Sequence, residues 1–278
     1  MLNFSEHSLI LKYPFRESDQ YVIVDVGAHH GDVSLPFARK GWKVVAFEPE
    51  NKNRAVFLEN LAKFSTSQVV CIPKAVADIS RSTVPFYTSD VHFGIHSLKP
   101  FHFTHEFSYE VEAVNLKGTL PNLEIENVTF LKIDIEGADF LALKGFDFNR
   151  YHPELIMIEF MDQRSVSNFG YNHHDMVSYM KKFGYIAFVS EWAPITEYGR
   201  EGVATPPHVW LQCKAYPLAH EPAWGNLIFV PEADEERFIR TLSKYLRYLR
   251  KTQSFTWLKK QIKKFLRLNR LHVKMIRS

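Results

Sequence analysis

In the segment VIVDVGAHHGD, residues 22–32, an apolar run ends in an acid and bends at Gly27 and Gly31 around the paired His29 and His30. Glycine reaches backbone angles that a β-carbon forbids, so the chain can turn sharply there and bring the amides near Ala28 and His29 close to a bound molecule. Glu48, followed by Pro49, closes a second apolar run, and KIDIEG at 132–137 closes a third with Asp134 and Glu136. A carboxylate has acceptor sites for two donors, and the vicinal hydroxyls of a ribose supply two. Glu48 therefore suits a nucleoside. A dinucleotide would require G-x-G-x-x-G to bring the backbone up to a pyrophosphate, whereas the spacing here is D-x-G-x-x-x-G. Asp25 and Asp134, in place of an anion nest, fit a nucleoside that carries a positive sulfonium, which is the chemistry of S-adenosyl-L-methionine.

These residues need strands whose carboxyl ends meet, and the pattern supplies them. Apolar, β-branched runs alternate with helix-like segments, as in βαβ units with a largely parallel sheet. YVIVDV, KVVAFE and QVVCIPKAVA read as the first three strands, with a helix from Asp32 (its N-cap) to Lys40 and a second over 50–64. That second helix places Val56, Leu58, Leu61, Ala62 and Phe64 in helical rhythm. STVPFYT and YEVEAVNL resemble an antiparallel pair around a long loop at 90–107. VTFLKIDIEG, ELIMIEF, IAFVS and NLIFVP complete the strands, with helices at ADFLALKG and HHDMVSYMKKFGY. Ligands of open parallel sheets bind across the carboxyl ends of strands, near the point where strand order reverses. The acid and glycines after strand one, Glu48, and KIDIEG all fall on that edge.

Three stretches, VIVDVGAHHGDVSLPFARKGWKVVAFEPE, GIHSLKPF and FLKIDIEGADFLALKGFDFNRYHPELIMIEF, resemble the FkbM family of class I S-adenosylmethionine-dependent methyltransferases, over roughly residues 20–190. The resemblance implies an α/β fold: a Rossmann-like seven-stranded sheet with helices on both faces. It also implies methyl transfer to oxygen, on sugars, glycolipids or hydroxylated metabolites. By position, Gly27 and its neighbours would line the methionine moiety, Glu48 the ribose and the segment around Ala75 the adenine. Asp134 and Glu136 would face the methyl donor and acceptor. The chain departs from the family's commoner pattern at His29, where Asn is usual, and at Lys117, where an acid is usual.

Methyl transfer needs alignment of acceptor oxygen, methyl and sulfur, and a base to take the hydroxyl proton. Glu136, Glu159, His29 and His96 have suitable groups, with Glu136 or His96 preferred. Lys132, Asp134 and Glu136 share one side of their strand, so Lys132 is expected to neutralise Glu159 or Asp25 on an adjacent strand. His92, His96, His102 and His105 lie in one loop but without a matched carboxylate in ligand spacing, so no metal site is assigned. NHHD at 172–175 reads as a helix start. Cys71 and Cys213 are expected as reduced core thiols, since they form no CxxC pair.

Three divisions are expected: a lead-in at 1–20, the methyltransferase domain at 21–235, and a basic tail at 236–278. The domain includes the loop at 90–107 and a proline- and aromatic-rich segment at 191–225. Thirteen of the 34 Lys and Arg and none of the 31 acids lie from Phe238 onward, so an acidic body carries a basic tail. From Trp257, Leu258, Ile262, Phe265 and Leu266 share one helical face among lysines and arginines. Such a helix, over 257–277, suits an anionic membrane surface; an acidic partner, including this protein's own body or a second subunit in a homo-oligomer, fits as well. No apolar run is long enough for a span or a secretory signal, so a cytoplasmic protein is expected, at the inner face of the membrane where the tail engages it.

The expected acceptor is a small molecule or glycan. A nucleic-acid methyltransferase is a rival reading, weakened because DIEG stands where amino-group methylation places an Asn/Asp-Pro-Pro-aromatic motif, and TPPH occurs only at 205–208. A non-catalytic cofactor-binding module tethered to a polysaccharide assembly is a third.

Overall fold

Runs such as VIVDV and LIMIEFM have side chains suited to a sheet buried on both faces, and the chain uses them so. The computed structural model describes residues 2–64, 66, 68–78, 83–92, 95–195, 208–220 and 224–253. The strands are β1 (Val22–Val26), β2 (Lys43–Phe47), β3 (Val69–Ile72), β4 (Ala75–Val76), β5 (Val84–Thr88), β6 (Glu106–Val111), β7 (Ala113–Val114), β8 (Phe130–Ile133), β9 (Leu155–Met161), β10 (Tyr185–Trp192), β11 (Trp210–Ala215) and β12 (Trp224–Pro231). The helices are α1 (Glu6–Ile10), α2 (Ser34–Ala38), α3 (Asn51–Ala62), α4 (Leu116–Asn122), α5 (Asp139–Lys144), α6 (Asp162–Phe169), α7 (His173–Lys181) and α8 (235–253).

The main sheet has the order β3-β2-β1-β8-β9-β12-β10-β11. Its first five strands are mutually parallel, and β12 runs antiparallel to both β9 and β10. The chain steps outward from β1 to β3 and returns on the far side of β1 as β8. Strand order therefore reverses between β1 and β8, the place where open α/β sheets bind ligands. The fold is α/β and Rossmann-like, as expected, but the sheet has eight strands where seven were expected. The extra strand, β11, pairs with the edge of β10 inside the proline-rich segment. WLQCKA alternates too weakly to announce itself, and only the pairing identifies it.

Three further expectations are corrected. The third strand divides at Pro73: β3 stays in the main sheet, while β4 pairs in parallel with β7. The first helix after β1 starts at Ser34, and its N-cap is Val33 without a side-chain cap, so Asp32 does not cap it. On α3 the buried residues are Asn53 and Phe57, whereas Leu58 is 49% exposed. The expected antiparallel pair is present as β5 and β6, and Asn172 and Asp175 form a reciprocal capping box at the start of α7. α4 and α6 had no counterpart in the sequence reading.

The chain divides into two compact units, Phe15–Glu235 and a second combining Met1–Pro14 with Glu236–Ser278. In the larger unit, Val24, Leu131, Ile133, Ile156, Ile158, Leu227 and Phe229 of the sheet form one core with Leu120, Leu143 and Met180 of the helices. In the smaller unit Phe4 meets Tyr245 edge to face at 5.5 Å, and Tyr13 lies 6.3 Å from Phe238. The amphipathic stretch expected at 257–277 lies outside the described residues. No helix among the described residues is long and apolar enough to cross a membrane.

Candidate active site

The carboxyl ends of β2, β1, β8 and β9 place a row of functional side chains along one sheet edge. Glu48, one residue past β2, is 5% exposed. Its Oε2 accepts from the His29 amide at 2.7 Å and its Oε1 from the Glu50 amide at 2.9 Å. Burial pushes its carboxyl up to about 7, against the opposing pull of those two amides. Each oxygen keeps a second acceptor position. Arg54 donates to the carbonyls of Glu48 and Pro49, at 2.9 and 3.1 Å, and so fixes the end of β2.

The turn after β1 is tight. Both Gly27 and Ala28 donate to the Phe47 carbonyl, each at 3.0 Å. Gly27 has φ +79°, and a Cβ there would stand 1.9 Å from the Asp134 carbonyl oxygen. Gly31 has φ +85°, and its Cβ would press on Leu35 and Phe57. Packing alone thus requires both glycines, a demand that the sequence reading assigned to ligand approach. His29 has φ 48°, stacks on His30 with ring centroids 3.7 Å apart, and is pushed down to about 4 by burial and then by His30. It is a neutral ring at physiological pH.

Asp25 is fully buried and faces Lys132, whose Nζ lies 3.2 Å from its Oδ1. The same ammonium donates to the Gly27 carbonyl at 2.6 Å and lies 3.7 Å from Asp134. Burial disfavours the Lys132 charge, and Asp25 and Asp134 overcome it and hold the group protonated. Asp25, expected among the cofactor ligands, is thus enclosed and paired with Lys132. Lys132 pairs with Asp25, not with Glu159. Asp134, with its side chain 40% exposed, is the acid of this group that faces outward.

Glu136 sits at φ 61°, an uncommon backbone for a residue with a β-carbon. Three neighbours hold the turn. Asp139 accepts from the Ile135 and Gly137 amides, both at 2.9 Å; the Tyr171 hydroxyl donates to the Gly137 carbonyl at 2.7 Å; and the Ser97 hydroxyl donates to the Glu136 carbonyl at 3.1 Å. Burial pushes Asp139 up to about 7. Carboxylate oxygens of Asp134, Glu136 and Glu159 all lie within 4.8 Å of one another, the one such group of possible metal ligands among the described residues. Two cations border it: Lys132, and Arg164, which pairs with Glu136 and reaches Glu159 at 3.5 Å. Burial, then Asp134 and Asp139, push Glu159 well above the usual carboxylate range.

Residues 95–105 fold back over this edge, with Ser97 bridged to Tyr87 by backbone hydrogen bonds of 2.9 and 3.0 Å. His96, beside Ser97, has an enclosed Nδ1 with no partner among the described residues, and burial lowers its basicity. Ala75 packs with Phe86, Val111 and Ala113 in a small core beside β4 and β7. The Ile72 carbonyl just before it accepts from the Glu48 amide at 3.0 Å. The site thus brings together Gly27, Ala28, His29, Glu48, Pro49, Asp134, Glu136 and Glu159, with Gly31 packed behind the first turn. Sequence reasoning missed Ser97, Asp139, Arg164 and Tyr171. Their spacing to Glu136 in the chain follows no period, and only Asp139, in the first turn of α5, had a local signal.

The sequence model of the methyltransferase FkbM domain matches residues 25–187. No curated protein gives a significant match. Among solved structures, the precorrin-6y C5,15-methyltransferase of Geobacter metallireducens aligns with 80% of this chain and 85% of its own, at 12% identity and a TM-score of 0.41. TrmK of M. capricolum, solved with S-adenosyl-homocysteine, aligns over 82% and 69%, at 12% identity and a TM-score of 0.42. An rRNA methylase from Streptococcus thermophilus aligns over 81% and 93%, at 11% identity and a TM-score of 0.40.

Proposed function

Because this chain belongs to the methyltransferase FkbM family, we propose that it methylates a hydroxyl of a sugar, glycolipid or related metabolite. It is an S-adenosyl-L-methionine-dependent methyltransferase, and the residues at the sheet edge fit that cofactor. Glu48 keeps acceptor positions for a ribose diol, and Asp134, with its side chain 40% exposed, turns a carboxylate outward that suits a positive ligand group. When bound, the cofactor supplies a methyl group already activated by its sulfonium. The protein's part is to align and to move one proton.

Glu136 supports this reading best as proton acceptor. Arg164 engages its Oε2, and Ser97 fixes its backbone, so one oxygen is left to meet a hydroxyl. That free carboxylate oxygen would accept the proton of an acceptor hydroxyl held at the methyl end of the cofactor. Burial favours the protonated form of Glu159 and lowers the basicity of His96.

The observation that carries the reading is Glu48, buried at the end of β2 and hydrogen-bonded to the turn after β1. Calorimetry with S-adenosylhomocysteine at pH 8, where Glu48 is ionised, should show Glu48→Ala weakened by about 10- to 100-fold, the worth of hydrogen bonds to a charged group. Absence of binding by the wild type at millimolar ligand would overturn the cofactor site. Labelled methyl transfer to a panel of sugars and glycolipids tests the acceptor, and labelling of an RNA oligonucleotide alone would replace the acceptor class.

A further inference from the structure

Arg164 stands in the first turn of α6, five residues beyond Glu159, and is 4% exposed. A buried guanidinium is costly unless its charge is met and its donors are used. Here it meets two carboxylates on two strands, Glu136 after β8 and Glu159 in β9, the latter at 3.5 Å. The ring of Phe101 lies over it, 4.2 Å from centroid to guanidinium carbon. Its own stem fills the space beside Gly137, with Cγ and Cδ each 3.2 Å from where a β-carbon would stand. The loop that carries Phe101 is fastened to the same elements by Ser97 on Glu136 and by Lys99, whose Nζ donates to the Asn168 carbonyl at 2.5 Å.

A simple neutralising cation would need none of these contacts with the loop. We propose that Arg164 is a positioning residue for methyl transfer: braced by Phe101 of the 90–107 loop, it aims the Glu136 carboxylate at the cofactor's methyl end and keeps it charged. This rests on the cofactor reading given above. The seating of the loop over an acceptor is thereby tied to the readiness of the base. The contrast between the two acids agrees with this, since Arg164 lies closer to Glu136 while burial favours the proton on Glu159.

The test needs no acceptor. Sinefungin carries an amine where the cofactor carries its methyl, and S-adenosylhomocysteine carries neither, so their affinity ratio by calorimetry reads the charge of the acids facing that position. In the wild type sinefungin is preferred at pH 8, and the preference fades as the carboxylates protonate at lower pH. Removing a neighbouring cation makes a carboxylate harder to ionise, so Arg164→Met should move the midpoint of this fading upward by about one pH unit. Arg164→Lys, which keeps the charge, should leave it near the wild-type value. Phe101→Leu leaves the buried pair intact and should move it the same way by less, which keeps the test open if Arg164→Met does not fold. An unmoved midpoint in Phe101→Leu and in folded Arg164→Met would overturn this role alone. Failure of the wild type to bind either compound would overturn the cofactor reading with it.

Discussion

Glu48 holds its proton to about pH 7, against an ordinary value of 4.5, because burial outweighs the two amides that favour the anion. Between those values the folded protein binds a proton that the unfolded chain has released, so this group's contribution to stability falls as pH rises through about 7. His29, pushed down to about 4, works the opposite way, adding stability as pH rises from about 4 to 6.5. Glu48→Gln removes only the first effect. Melting curves from pH 5 to 8 should therefore show the variant gaining on the wild type as pH rises, by roughly 3 kcal/mol at most for a shift of that size. A constant difference across that range would show that Glu48 is not enclosed as described. The residue types at this edge were legible because acids and glycines closing apolar runs are unusual. What each acid touches was not: Asp25 and Asp134 are two equivalent strand-end acids in the sequence, and the register of β1 against β8 gives Lys132 to the first while Asp134 faces outward.

The elements show how far periodicity reaches. Helix α3 was placed correctly, since Asn51–Ala62 follows a strand and Pro49, but the apolar spacing selected the wrong face. Phe57 is fully buried against the turn at Gly31, and Leu58 points away at 49% exposure. The helix carries its hydrophobics on several sides, so no stripe marks the inner one. Denaturant unfolding should separate the two: Phe57→Ala costs about 3–5 kcal/mol, and Leu58→Ala less than about 1. Equal losses would contradict the observed rotation of the helix. Helix α6 escaped notice for a related reason, because DQRSVSNF has few apolar residues. Its value lies in Arg164 and in Ser165, both buried, which no amphipathic pattern would select.

Across the whole molecule, charge is divided more sharply than the net +3 suggests, with thirteen bases and no acid from Phe238 onward. The first part of this region is helix α8, whose Phe238, Leu242, Tyr245 and Leu249 are buried at helical spacing. Its basic continuation gives the division a measurable consequence. The full chain should co-sediment with vesicles containing anionic lipid, a chain ending at Gln253 should not, and about 0.5 M salt should release it, since surface attraction is screened within a few ångströms there. Retention by neutral vesicles as well would assign the binding to something other than these charges. The family match, over residues 25–187, ends before this region.

The sequence by itself determined the α/β alternation, the edge on which the site lies, the family and hence the cofactor, and the residue types available for methyl transfer. These are local properties: backbone freedom at glycine, the run of β-branched residues, the acid that ends a strand. Tertiary structure alone decided the eighth strand, the enclosure of Asp25, the inner face of α3, and the meeting of Ser97, Arg164 and Tyr171 around the Glu136 turn. Those depend on pairings between segments far apart in the chain, whose energies come from contacts made only when the sheet has assembled, and no spacing in a single sequence encodes them.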